Sequence, residues 1–409
     1  MPLTSEWSVP QSLSFSLSFS AAGVLGAIVL LIWLYLIFVH GRFWWLRDFD
    51  DDIAPHDELR AWPRVVAIVP ARNEAETIAC AVESLAGQNY GGEFSVIVVD
   101  DHSEDATTGL ALHAASTAGA ADRVLVHRAA ALPNGWTGKL WALNEGVARA
   151  AETDAAFYWF TDADVVHAPD TLRRLVSRAG KAKLDLTSLM VLLRAESDAE
   201  KLLIPPFLYF FLKLYPPRWI ANAKARTAGA AGGCVLLRRE ALERIGGLAA
   251  IRGEVIDDCA LARAVKRSGG SIWMGVTRAS VSLRCYGNFP EIRDMIARTA
   301  FTQLRYSAWL LLGTIAGMLL TYVAPVALVF SSSMFATICG AIAWVLMTCS
   351  FIPTLWHFRR SRYWAPLLPI AALFYSYATW LSAVRYWRGQ GGQWKGRAQA
   401  PSESKDVAG

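Results

Sequence analysis

Charge is scarce in this chain. Of 409 residues, 18% are Asp, Glu, Lys or Arg and 54% are hydrophobic, which lies outside the balance of a soluble globular protein. The shortage is local, because Trp7 to Val39, Ser307 to Trp356 and Tyr363 to Val384 contain no charged residue at all. Basic runs with interleaved aromatics are also missing, so a net charge of +5 gives no case for nucleic acid; it fits anionic membrane surfaces and anionic substrates. The six cysteines have no CxxC spacing, which argues against a zinc site or disulfide framework and leaves free thiols as the expectation. No GxGxxG follows the first predicted strand, which disfavours a dinucleotide fold of that type.

The uncharged stretches are long enough to cross about 30 Å of hydrocarbon. They divide the chain into a tail over 1–18, a transmembrane helix over 19–40, a linker over 41–58, a domain over 59–307, a C-terminal transmembrane region of about three spans over 308–387, and a basic tail over 388–409. The first stretch has no basic residue before it and no cleavage site after it, so it reads as an uncleaved anchor. Arg42, Arg47 and Phe43-Trp44-Trp45 follow it, which places the domain in the cytoplasm, at the inner face of the cytoplasmic membrane. The basic loop His357 to Tyr363 belongs on the same side. The last segment leaves two topologies open, because counting spans places the tail outside while its basic residues argue for inside, and Pro366 and Pro369 permit a broken or re-entrant path. Residues 201–219 (KLLIPPFLYFFLKLYPPRW) cannot span; an interfacial segment is expected, with a buried helix as the alternative.

Between the apolar stretches the composition is ordinary. VVAIVP (Val65 to Pro70), FSVIVVD (Phe94 to Asp100), RVLVH (Arg123 to His127) and AAFYWF (Ala155 to Phe160) read as buried strands. Helical patterns over Glu74 to Ala86, Ala106 to Ala118 and Leu140 to Ala150 separate them. This alternation predicts an α/β fold with a parallel, doubly wound sheet and ligands at the carboxyl ends of its strands.

Acidic residues stand at those ends. Asp100 and Asp101 close the second strand in VDDHSED, and Asp162 and Asp164 close the fourth in TDADV. An Asp there is costly unless solvated, paired or bound. Ser103 and Asp105 read equally well as helix caps. The i, i+2 pair Asp162 and Asp164 can point together at a hard divalent cation, Mg²⁺ or Mn²⁺, that carries a diphosphate. Asp257 and Asp258 open an amphipathic helix, one as a cap and the other free to act as a base. Before them, Gly232 and Gly233 allow either close approach by a ligand or a tight bend. Lys139 in GWTGKLWALNEG stands just before a helix, either as a surface lysine or as a phosphate contact.

PARNE (Pro70 to Glu74), VDDHSED, TDAD, IDD and a late QLRY (Gln303 to Tyr306) together resemble the inverting family 2 glycosyltransferases. With GWTGKLWALNEG, AAGGCVLLRREAL and ARTAFTQLRYS between apolar flanks, the chain looks closest to the hopene-associated glycosyltransferases, relatives of the ceramide glucosyltransferases. The resemblance implies a GT-A type nucleotide-diphosphate-sugar transferase domain with N- and C-terminal transmembrane helices. It implies a nucleotide-sugar donor, UDP-linked by preference, a membrane lipid as acceptor and Mg²⁺ or Mn²⁺ as cofactor. Carried over residue by residue, Pro70, Glu74 and Asp101 contact the donor nucleotide, Asp162 the ribose or the metal, and Asp164 the metal. Lys139 neutralises diphosphate charge and Asp258 is the catalytic base. Gly232, Gly233, Asp257, Gln303 and Arg305 contact the leaving group or acceptor. The last motif departs from Q/R-x-x-R-W, with Thr302 at its first position and Tyr306 in place of Trp. The rival readings are a processive polysaccharide synthase, a polyprenyl-phosphate sugar synthase and a catalytically silent membrane scaffold; too few uncharged spans are present for a transporter.

Overall fold

The structure, a computed structural model, describes residues 21–46 and 61–389, together with the backbone pairing of Gln393–Trp394 with Arg397–Ala398. The expected N-terminal tail, Arg47 with most of the linker, and nearly all of the C-terminal tail lie outside the described residues. In chain order the elements begin with α1 (Ala21–Phe38), β1 (Val65–Ala71), α2 (Ile78–Ala86), β2 (Phe94–Asp100), α3 (Thr107–Thr117), β3 (Val124–Arg128), α4 (Gly138–Ala150) and β4 (Phe157–Thr161). There follow β5 (Val165–His167), α5 (Thr171–Lys181), β6 (Leu186–Leu192), α6 (Asp198–Leu214), α7 (Pro217–Ala221), β7 (Cys234–Arg238), α8 (Arg239–Arg244), α9 (Asp257–Arg267) and β8 (Ile272–Ser282). The chain closes with α10 (Phe289–Gln303), α11 (Ala308–Met318), α12 (Ala324–Leu328), α13 (Met334–His357) and α14 (Leu368–Trp387).

The eight strands β1 to β8 form one sheet in the order β3-β2-β1-β4-β7-β6-β8-β5. The first four are parallel, as the alternating pattern predicts. Every residue of β1 and β4 is buried, which explains their unbroken apolar sequence. Beyond β4 the sheet is mixed. Strand β7 runs antiparallel to both β4 and β6, while β6 and β8 are parallel. The reversal matters for the site, because Thr161 at the end of β4 pairs with Cys234 at the start of β7. Gly232 and Gly233 therefore lie at the same sheet edge as Asp162.

Among the described residues, four helical stretches are long and apolar enough to cross a membrane: Ala21–Phe38, Ala308–Leu328, Met334–His357 and Arg362–Trp387. α1 and α13 run in parallel, with Gly26 against Ala336 and Cys339. Helices α12 and α13 form a hairpin in which Gly340 packs on Pro325 and Leu328. Pro325 has no N–H to give the carbonyl four residues back, and a π-turn, Leu319–Val323, precedes it. That carbonyl, Thr321 O, accepts instead from Trp33 Nε1 of α1 at 2.8 Å. A polar group that hydrocarbon could not satisfy is thus partnered across helices.

Residues 201–219, expected along a headgroup region, form α6 and α7. Helix α6 runs through Pro205 and Pro206, opened by a capping box between Ser197 and Glu200. Most of its side chains are buried. Tyr209 stacks edge-on against Phe351 and donates to or accepts from Ser350 at 2.7 Å, and Phe210 meets both Tyr322 and Tyr375. Helix α6 is thus the seam between the sheet domain and the apolar helices.

Candidate active site

The carboxyl edge of β1 and β4 holds a narrow cavity lined by Pro70, Lys139, Asp162, Gly232, Asp257 and Asp258, with Leu140, Leu143, Phe160 and Leu261 as its apolar wall. Four elements converge there. Lys139 is the second residue of α4, where the helix N-terminus adds positive potential. Asp162 follows β4 directly. Asp257 and Asp258 are the first two residues of α9.

The charges interlock. Lys139 Nζ lies 2.8 Å from Asp162 Oδ1 and 3.5 Å from Asp257 Oδ2. Burial alone would lower the lysine's pKa, but Asp162 and Asp257 outweigh it and hold the ammonium charged above its ordinary range. Of the helix-opening pair, Asp258 is the one fixed by backbone: Oδ2 accepts from Gly232 N at 2.8 Å and Oδ1 from Cys259 N at 2.6 Å. Burial first, and Asp257 second, push its pKa up to about 6 against the pull of Lys139. A carboxyl so placed is ionised at neutral pH yet basic enough to take a proton. Gly232 is where its backbone must approach closely, since a Cβ there would stand 3.2 Å from Lys139 Nζ and 3.4 Å from Asp258 Oδ2. Gly233 serves packing instead, facing Val191 and Val165.

Asp164 sits one turn further along the edge, 3.5 Å from Ser282 Oγ, its backbone carbonyl accepting from Leu283 N. Burial, then Asp162 and Glu74, push its pKa up to about 6, with Arg284 and Lys139 opposing. Mutual repulsion of this kind is what a divalent cation relieves, so Asp162 and Asp164 fit a hard metal such as Mg²⁺ or Mn²⁺. Among the described residues no three His, Cys, Asp or Glu side chains gather as a complete metal set. The remaining ligands would be diphosphate oxygens and water, as Mg²⁺ favours.

Asp101 is fully buried beside Arg72, whose Nη1 donates to Asp101 O at 2.5 Å. Ser103 and Asp105 are not helix caps, since neither α2 nor α3 has a side-chain hydrogen bond at its N-cap; they bind the neighbouring loop instead, where Ser103 Oγ accepts from Asn73 N, Thr107 Oγ1 from Glu74 N and Asp105 Oδ2 from Ala75 N. The PARNE and VDDHSED loops are thereby locked together, which fixes Glu74 at the edge. Gln303 Nε2 donates to Tyr215 Oη at 2.6 Å, and Tyr215 neighbours Cys259 and Asp258. Arg305 is exposed at a positive φ of 52°, and among the described residues no hydrogen bond or ion pair ties it to the cavity. Tyr215, Ser282 and Arg284 belong to no motif, so no local pattern marks their place beside the site. All six cysteines are free.

The profile of glycosyl transferase family 2 matches residues 66–246, from β1 past β7. Residues 66–246 are a glycosyl transferase family 2 domain. The protein is a glycosyltransferase with the GT-A-like α/β fold expected of that domain. The match holds Pro70, Glu74, Asp101, Lys139, Asp162, Asp164, Gly232 and Gly233, and stops before Asp257, Asp258, Gln303 and Arg305. Among solved structures, the glycosyltransferase resembles a mannosyltransferase from Pyrobaculum calidifontis in complex with GDP-Man and Mn²⁺. The two share 17% identity over 89% of this chain and 99% of that one, at a TM-score of 0.55, which is a likeness of fold. Looser likenesses are glucosyl-3-phosphoglycerate synthase from Mycobacterium tuberculosis (19% identity, 59% and 79% covered, TM-score 0.38) and mannosyl-3-phosphoglycerate synthase from Rubrobacter xylanophilus (17%, 65% and 81%, 0.39). No curated protein matches the chain.

Proposed function

We propose that this glycosyltransferase moves a sugar, with inversion, from a nucleoside-diphosphate sugar to a hydroxyl of a membrane lipid. The observation that carries the reading is the single cavity in which Lys139, Asp162, Asp257 and Asp258 meet at the edge where β7 reverses. The acceptor O–H gives its proton to Asp258 while its oxygen attacks the anomeric carbon. The bond from that carbon to the diphosphate breaks, and the nucleoside diphosphate leaves with the electron pair. Lys139 exchanges its carboxylate partners for diphosphate oxygens, which spread the departing charge. A divalent cation held by Asp162 and Asp164 would supply further charge neutralisation to the leaving group. Gly232 N–H and Cys259 N–H hold the Asp258 carboxylate in position, and Gln303 fixes Tyr215 behind it.

Two features support a lipid acceptor. Apolar helices flank the domain, and a cleft lined by Leu192, Leu193, Val281, Leu283 and Phe358 joins the ends of β6 and β8 to the end of α13. The basic loop after α13 and the catalytic edge thus share one side, which we assign to the cytoplasm at the inner membrane. The resemblance to hopene-associated enzymes directs the acceptor search to hopanoid lipids. Arg194 and Arg360 in the same cleft favour a second reading, a polyprenyl phosphate as acceptor. That nucleophile needs no base, so Asp258→Asn separates the two. The test uses the purified full chain with Mn²⁺ or Mg²⁺, a panel of UDP- and GDP-sugars and a bacterial lipid extract. Release of nucleoside diphosphate with a new glycolipid is expected; no release and no donor binding under any combination overturns the proposal.

A further inference from the structure

Helix α14 has the length and hydropathy of a fourth span, and its sequence leaves the side of the C-terminus open. Its contacts decide against crossing. Over its last four turns it lies beside α10, which carries Glu291, Arg293, Asp294 and Arg298. The two helices run in parallel at a constant register. Phe374 meets Phe289, Ser382 Oγ donates to Ala297 O across an offset of 85 residues, and Tyr386 meets Phe301 at the same offset. Ser382 Oγ also accepts from Phe301 N, and Arg385 Nη2 pairs with Asp294 at 2.6 Å. A helix carrying four charges in fifteen residues does not stand in hydrocarbon, and α14 is level with it from Phe374 to its end.

Both ends of α14 are also tied to one side. Leu368, at its start, shares a small gap with Lys201 and Leu202 of α6 and Leu355 at the end of α13. Ala383, at its end, packs with Leu311 in the first turn of α11 and with Phe301. The end of α13 and the start of α11 are the same end of a hairpin. The inner face of α14 buries Ala371, Ala372, Tyr375, Ala378, Ser382 and Ala383. Its outer face exposes Ile370, Leu373, Tyr377, Trp380 and Trp387, spaced as one helical stripe and rich in the aromatics that favour the headgroup region.

We infer that α14 lies in the plane of the membrane, its aromatic stripe seated in the headgroup–acyl boundary on the catalytic side. The chain then has three spans, and its C-terminal tail emerges beside the catalytic domain. This rests on α1 and the 308–357 hairpin spanning the bilayer, and not on the donor or acceptor. The inner face of α14 also steadies the turn after α10, where Tyr306 stacks on Tyr386 at 4.4 Å.

Protease protection of the full chain in sealed inverted vesicles tests it, with an epitope tag after Gly409 or within Ser331–Ser333. The C-terminal tag should be lost together with the catalytic domain while the 331–333 tag is protected. A protected C-terminal tag overturns the inference, and loss of both tags overturns the spanning hairpin on which it rests. A second readout uses single cysteines at Leu373, Trp380 and Trp387 in a chain with Cys80, Cys285 and Cys349 changed to Ser. An impermeant maleimide added from the catalytic side should label all three within about threefold; a fall of more than tenfold along the helix would mark a span and sink the proposal.

Discussion

In the half of the sheet made of β3, β2, β1 and β4, the strands run parallel to one another and the loops at the carboxyl edge hold PARNE, VDDHSED and TDAD. In the other half, β7 runs backwards, so a strand begins at the edge where the parallel strands end. The first half supplies side chains on strand ends, Glu74, Asp162 and Asp164. The second supplies a backbone N–H from Gly232 and, through α9, the Asp257 and Asp258 pair. A carboxylate needs such a backbone contact to be held in one orientation, so the reversal is what aligns Asp258 for the role of base proposed above.

The largest expected effect breaks the reversed half alone. Asp258→Asn should lower turnover on a hydroxyl acceptor by about 10²- to 10⁴-fold, with donor affinity changed less than threefold, as steady-state kinetics with donor titration will show. Removing the link between the halves comes next. Lys139→Ala leaves Asp162 and Asp257 without their shared counter-ion, so it should weaken donor binding about tenfold to a hundredfold and cost about 3 kcal/mol in a denaturant melt.

Two glycines sharpen the contrast. A Cβ on Gly146 of α4 would overlap Ile68 and press on Val99 at 3.1 Å, so Gly146→Ala should cost about 1–3 kcal/mol of stability and leave activity per folded molecule intact. Gly232→Ala should do the opposite, leaving the melting temperature within about 2 °C and cutting turnover roughly tenfold through Lys139 and Asp258.

The smallest effect is in pH. Turnover should rise as pH passes about 6, where Asp258 loses its proton. Stability should move the other way. Folded Asp164 and Asp258 keep their protons to about 6, above the ordinary 3.8 expected when unfolded, so their stabilising contribution is complete below about 4 and lost as pH rises through 6. Thermal melts at pH 4 and 7.5 should differ less for the Asp164→Asn, Asp258→Asn double variant than for the wild type.

What was legible in the sequence follows the same division. Continuous apolar runs such as VVAIVP betray parallel strands because burial on both faces removes every polar position. Motif residues at their ends could therefore be placed by counting. Strand β8 pairs with β6 and β5, and its burial alternates irregularly, so it sends no such signal. The hydrogen bond from Gln303 to Tyr215 joins residues 88 apart, with no periodicity to announce it. The PARNE and VDDHSED motifs read as separate fingerprints; that side chains of one loop bind the backbone of the other depends on contacts across about 30 residues.

The bond from Trp33 to Thr321 spans 288 residues. At roughly 5–20 residues per second, a ribosome takes on the order of 15–60 s to make the partner after the donor has been made. During that interval the indole has no Thr321 to meet, and the whole sheet domain is synthesised and can fold. The C-terminal helices therefore meet a first helix already joined to a synthesised sheet domain, so the contact between Trp33 and Thr321 forms only after the catalytic residues of that domain have been made.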